Sequence, residues 1–219
     1  MGDTLTRARI VRAALEIVDE EGLPALSMRR LGAGLGVDPM AAYYHIPNKK
    51  ALLDAIVEAV MAEIDLAGDD PSASPEDRIM HAAQAYRDAL LAHVNALPIV
   101  LSRGPSTPEA MRPVELLIGI LRDAGLPPAQ AMAGMNAIAA TVRGTVGMVA
   151  DDPASVASDQ SASPGALFSA EEFPHLCEAA LCSPDFLGAD FEFGIRALAR
   201  GLLAGGGEVG QTRLGRSGA

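Results

Sequence analysis

An all-α protein is predicted, an N-terminal three-helix helix-turn-helix unit joined to a larger helical domain, and three observations predict it. Apolar residues recur at intervals of three and four along most of the 219-residue chain. No run shows the β-branched alternation expected of a strand. Glycine, proline and cap-forming residues divide the chain into lengths that suit helices. With 49% hydrophobic residues it can bury a sizeable core.

Each element has its own signals. In TRARIVRAALEIVDEEG, Ile10, Ala14 and Ile17 share a stripe with arginines on the other face, and Gly22 supplies a stop, giving a helix over about residues 6 to 21. Ser27 caps the short MRRLGAGLG helix, which Gly36 ends. Asp38 and Pro39 suit an N-cap and first helical position, and Pro47 stops that helix near Ile46. Asn48 caps a fourth helix carrying Leu52, Leu53, Ile56, Val60 and Ile64. Gly32 and Gly34 each weaken the second helix by about 1 kcal/mol relative to alanine, and the sequence supplies no reason for them. The stretch AGDDPSASPED has the composition of a flexible linker. From Arg78 onward the chain is again helical, punctuated at Pro98, Gly104 to Pro108, Gly125 to Pro128, Asp151 to Pro164 and Pro184. DDPASVASDQSASPGA reads as a mobile loop, and the tail after Gly205 is expected to fray.

Composition excludes several classes. No apolar run approaches the roughly 20 residues that span a bilayer, and MGDTLTRARI lacks the apolar core of a signal peptide, so a cytoplasmic protein without a membrane partner is expected. Cys177 and Cys182 form neither a disulfide framework nor a CxxC metal site. Residues 1 to 50 hold seven basic and six acidic side chains, a balance of +1, which leaves −12 of the chain's −11 to the remainder. Only the first segment can therefore approach a polyanion. Within it stand the only two lysines, Lys49 and Lys50, beside Tyr43 and Tyr44.

The two short helices joined through LGVD satisfy what a helix-turn-helix requires. Gly36 can take positive φ in the turn, Leu31, Leu35 and Val37 face inward, and Tyr43, Tyr44, His45 and Lys49 are grouped to reach phosphate. Tyr43 taken alone also fits a core aromatic, and the lysines an ordinary solvated helix start, but three consecutive residues of one helix cannot all point inward.

The stretch LSMRRLGAGLGVDPMAAYYHIPNKKALLDAI, residues 26 to 56, resembles the TetR family of transcriptional repressors, its tetracycline-repressor branch in particular. Weaker similarity continues in AYRDALLAH (85 to 93), TVGMVADDP (145 to 153) and FEFGIRALARGL (191 to 202). The resemblance implies a DNA-binding domain over residues 1 to 50, a connecting helix over 51 to 67, a ligand-binding and dimerisation domain over 68 to 205 and a disordered tail over 206 to 219. It implies that Lys49, Tyr43, Tyr44 and His45 hold phosphates of double-stranded DNA. Base edges fall to Arg29, Met40 and Ala41, with Ser27, Met28 and Pro39 beside them. Arg29 is the one strong base reader, a bidentate pair to guanine giving about 1–3 kcal/mol of discrimination.

A homodimer is implied as well. Met135, Ile138, Val142 and Val146 form one stripe and Phe191, Ile195, Leu198 and Leu202 another, and in the resembled family the corresponding helices meet their twins across a two-fold axis. The same stripes fit an internal core equally well. As for the effector, the magnesium-tetracycline ligands of the resembled branch are replaced here by Asp65, Ala82 and Val100, with the acidic Asp151 retained. A largely apolar small molecule is expected instead, with no cofactor or metal, among Met61, Asp65, Tyr86, Val100, Met111 and Met135. Two rival readings stand beside it: a DNA-binding regulator without a small-molecule inducer, whose second domain senses a protein partner or nothing, and an enzyme or metal protein built on His175, Cys177 and Cys182 with Glu171, Glu172 and Glu178. The spacings of the second match no zinc signature and no nucleophile-base pair.

Overall fold

The computed structural model describes residues 4–150, 169–179 and 188–212, with side chains to residue 205, and the regular structure among them is helical. The first four helices are α1 (Arg7–Glu21), α2 (Met28–Leu35), α3 (Pro39–Tyr43) and α4 (Lys49–Ala62). Each begins where a side chain accepts an otherwise orphaned backbone N–H: Thr6 from Arg9, Ser27 from Arg30, Asp38 from Met40 and Asn48 from Ala51. Gly22 and Gly36 turn the chain out of α1 and α2 at φ 80° and 67°. A 3-10 turn over Leu23–Ala25, built on Pro24, links the two, an element the sequence periodicity does not announce.

Ile10, Ala14, Ile17, Leu31, Leu52 and Ile56 are buried, as their spacing predicts, and Ala42 and Ile46 pin α3 to the same core. Gly32 now has its reason. A Cβ there would stand 3.0 Å from the Val37 carbonyl oxygen and 3.1 Å from Cα of Pro39, so glycine lets α2 and α3 approach closely without pushing that backbone aside. Gly34 has no such neighbour in the backbone.

The segment read as a flexible linker is a pair of tied turns. Asp69 takes two hydrogen bonds from Arg78, at 2.8 and 2.9 Å, and Asp70 accepts from both the N–H and the hydroxyl of Ser72. The Arg78 guanidinium holds the Asp69 carboxyl below the ordinary carboxylate range. Polar composition thus reflects turn chemistry, with side-chain bonds replacing those of a helix.

Beyond it lie α5 (Pro75–Ala92), α6 (Leu97–Ser102), α7 (Pro108–Asp123), α8 (Pro128–Ala150), α9 (Pro174–Ala179) and α10 (Ala189–Thr212). Helices α5, α7, α8 and α10 pack on one another, and α4 lies against α5 and α7, so one continuous core runs from Ile10 to Ala199. Arg196 and Arg200 clamp α10 to Glu76 and Asp77 in the first turn of α5. At Gly134 a Cβ would meet Leu121 at 3.1 Å and Leu202 at 3.2 Å, marking close approach of α7, α8 and α10. The predicted loop from Asp151 onward, with Asp151 itself, and Cys182 lie outside the described residues. The expected frayed tail differs in its first part, because α10 continues past Gly205 to Thr212.

Candidate nucleic-acid interface and effector cavity

Helix α3 presents Met40, 64% exposed, and Tyr44, 91% exposed, while Ala42 beneath them is fully buried. Tyr43 and His45 are exposed too, so the aromatic cluster faces outward and the core reading of Tyr43 fails. The adjacent arginines of α2 divide their work. Arg30 is an internal strut, its guanidinium bonded to both Glu21 oxygens on α1. Arg29 is exposed, and among the described residues no carboxylate pairs with it. It is therefore the cation left for a partner.

Four of the nominated residues also have internal tasks. Ser27 caps α2, Met28 packs on the core and Pro39 is the contact that Gly32 admits. Lys49 donates from Nζ to the Leu26 carbonyl at 2.9 Å, fastening the start of α4 to the start of α2. An ammonium carries three donors, so this bond leaves two for phosphate.

Helix α4 is fastened equally well at its other end. Its Glu58 accepts from the backbone N–H groups of Ser106 and Thr107, at 2.6 and 3.1 Å, and from both hydroxyls, so it closes the entrance to α7. Burial pushes the Glu58 carboxyl up, but these four bonds outweigh it and hold it below its ordinary value. Asp54 pairs with Arg103 after α6. His93 bridges Asp19 of α1, at 2.8 Å, and Glu63 at the end of α4, at 2.7 Å. None of these ties is visible in sequence spacing, because their partners are 30 to 74 positions apart.

A cavity opens where α4, α5, α7 and α8 meet. Met61 and Ile64 come from the end of α4, Tyr86 from α5, Pro113 and Leu117 from α7, and Met135 and Arg143 from α8. Its empty space is about 470 Å3 counted to the open mouth. Three nominations, Met61, Tyr86 and Met135, line it. The other three do not line it: Val100 is core, 2% exposed, Met111 lies on the outer side of α7, and Asp65 borders a separate acidic groove with His81 and Asp88. Arg143, which the sequence reading did not nominate, also lines the cavity, and a cation inside an apolar run was the available signal.

The proposed dimer stripes face inward. Ile138, Val142, Val146, Phe191 and Ile195 are at most 3% exposed within a single protomer, Met135 lines the cavity, and Leu198 and Leu202 pack on the core. They seal each helix into its own bundle. The opposite faces carry Met132 and Met148, 46% and 58% exposed, with Ala140 and Gly144 between them on α8, and Phe193, 77% exposed, with Ala197 and Gly201 on α10. His175 and Cys177 sit on α9, and among the described residues no three His, Cys, Asp or Glu groups stand where they could hold a metal ion.

A braced helix-turn-helix, followed by a helix whose far end reaches a cavity among the later helices, fits a DNA-binding regulator that responds to a ligand. Residues 10–56 match the family described as bacterial regulatory proteins, tetR family, and residues 67–205 match the tetracyclin repressor-like C-terminal domain. The class A tetracycline repressor from transposon 1721 of Escherichia coli is 34% identical over 197 residues, covering 88% of each chain. ActR from Streptomyces coelicolor superposes in its apo form with TM-score 0.82 at 33% identity, over 94% of this chain and 99% of that one. Its complex with actinorhodin superposes with TM-score 0.80 at 32% identity, over 94% and 100%. The chain belongs to the TetR family and is a ligand-responsive DNA-binding repressor; these relatives are transcriptional regulators rather than enzymes. Among the described residues no helix is long and apolar enough to cross a membrane.

Proposed function

We propose that the protein is a cytoplasmic homodimer that occupies a palindromic operator and leaves it when a small, largely apolar molecule enters the cavity. The observation that carries this reading is that α4 serves both ends. Lys49 at its start holds α2, while Met61 and Ile64 at its end line the cavity. A molecule that enters between these packed helices parts them, and α4 moves with them. Recognition helices that must span about 34–36 Å across a palindrome then lose register. The ligand shifts the balance only by its preference for the parted form.

The cavity lining offers one guanidinium and one phenol among apolar side chains, which favours an organic molecule over a magnesium-tetracycline chelate. Sequencing the DNA that the purified protein retains tests the regulatory reading, since an enriched inverted repeat is expected and random fragments would remove it. Arg29 reads a base in this proposal, so Arg29→Ala relaxes discrimination at one position of each half-site by about 1–3 kcal/mol. Lys49→Ala instead weakens all duplexes alike and lowers the salt slope by about one per subunit. Titration of specific and scrambled duplexes at two salt concentrations separates the two, and equal losses for Arg29→Ala on both duplexes would end its role as reader.

The dimer is proposed to form through the outward faces of α8 and α10. Phe193 is the large exposed apolar group there, and the small residues around it permit close helix approach. A Cβ at Gly201 or Gly144 meets nothing within 4 Å in the protomer, so arginine fits there without disturbing it. Gly201→Arg is expected to give a folded monomer by light scattering; a persistent dimer would move the interface elsewhere.

A further inference from the structure

We propose that the effector carries a negatively charged group, a carboxylate or ionised phenol on an otherwise apolar ring system, which docks on Arg143. This deepens the reading of the cavity as the effector site and rests on it. Arg143 stands on α8 in the cavity wall, half-buried, with Nε donating to the Tyr86 hydroxyl at 2.7 Å and the guanidinium carbon 5.7 Å from the centre of the Tyr86 ring. Tyr86 is 8% exposed, and burial holds its hydroxyl in the neutral form by pushing its pKa up against the pull of Arg143. The tyrosine therefore orients the cation without neutralising it.

Charge in the wall is the unexpected feature. Arg30, Arg78, Arg103, Arg196 and Arg200 each have a carboxylate partner, whereas among the described residues none pairs with Arg143. The other lining groups are Met61, Ile64, Leu117, Met135 and their apolar neighbours, which contribute no acceptor besides the Tyr86 oxygen. A guanidinium has five N–H donors in a planar fork, and its Nε is the one spent on Tyr86, so the terminal nitrogens remain for a planar two-oxygen anion. An apolar wall lowers the local dielectric and strengthens that pairing, and a neutral ligand would instead leave the cation desolvated and unmatched. Charge also selects: a neutral ring system of the same shape forfeits the one directional contact available.

The test compares anthraquinone-2-carboxylate with its neutral carboxamide by calorimetry on the full-length dimer, wild type, Arg143→Met and Arg143→Lys. Circular dichroism verifies that each variant is folded. The carboxylate is expected to bind wild type about tenfold or more tightly than the amide. Arg143→Met removes that preference by weakening the acid alone, and Arg143→Lys restores part of it. Equal binding of acid and amide to wild type, or a preference that survives Arg143→Met, overturns the anion proposal while leaving the cavity as a ligand site. Failure of both probes to bind overturns the cavity reading together with it.

Discussion

Gly32→Leu abolishes specific DNA binding, by about a hundredfold or more, while the effector domain stays folded and dimeric. A side chain is disfavoured here because its Cβ would lie 3.0 Å from the Val37 carbonyl oxygen and 3.1 Å from Cα of Pro39, backbone atoms that must give by a few tenths of an ångström to admit it. Leucine must push α3 away from α2, which pulls Ala42 and Ile46 from the core and misdirects Met40, Tyr43 and Tyr44. Overpacking of this kind costs about 1–3 kcal/mol, and base readout fails with smaller displacements. Gly34→Ala is the matched control. Its Cβ would meet only the end of the Arg30 side chain at 3.4 Å, so the gain in helix propensity, about 1 kcal/mol, is expected to appear as added stability with binding intact. Fluorescence anisotropy on an operator duplex, beside circular dichroism, checks both. Operator affinity for Gly32→Leu within about threefold of wild type would mean that α3 is not held by this contact.

Protonated His93 is expected to stabilise the junction of the two domains, a contribution that fades in alkaline solution. Burial pulls the imidazole pKa down, but hydrogen bonds to Glu63 and Asp19, and their charges, outweigh it and hold the pKa above the ordinary value. A folded pKa above the unfolded one gives stability that is fully present below about 6.5 and lost as pH rises through the elevated folded pKa. The bridge joins α1, the end of α4 and the turn before α6, so its loss loosens the path between cavity and DNA. Urea unfolding of wild type and His93→Gln, compared at pH 6 and pH 9, measures it. Wild type is expected to lose its advantage over the variant between those values, and a constant difference would show that the imidazolium is not the stabilising form.

The caps at Ser27, Asp38 and Asn48 and the stops at Gly22 and Gly36 were legible, because capping is local chemistry completed within three or four residues. The outward cluster Tyr43, Tyr44 and His45 was legible for the same reason: three consecutive residues cannot share one buried face. Polar linker composition misled, since Asp69 and Arg78 look solvated until the turn that pairs them is seen.

Which apolar stripe faces a second chain was not legible. Sequence periodicity finds the strongest stripe, and on α8 and α10 the large residues, Val142 and Ile195 among them, serve the protomer's own core, while the exposed faces of Ala, Gly and scattered Met leave a weak pattern. By itself, then, the sequence determined an all-α protein with a helix-turn-helix and an outward aromatic cluster, because helix periodicity, caps and the turn are set by neighbours along the chain. Only the tertiary structure decided that Gly32 is a crossing point, that Glu58 and His93 lock α4 to the effector domain and that Arg143 enters the cavity. Each of these depends on groups brought together from distant positions, where distance and burial, rather than spacing, fix the energy.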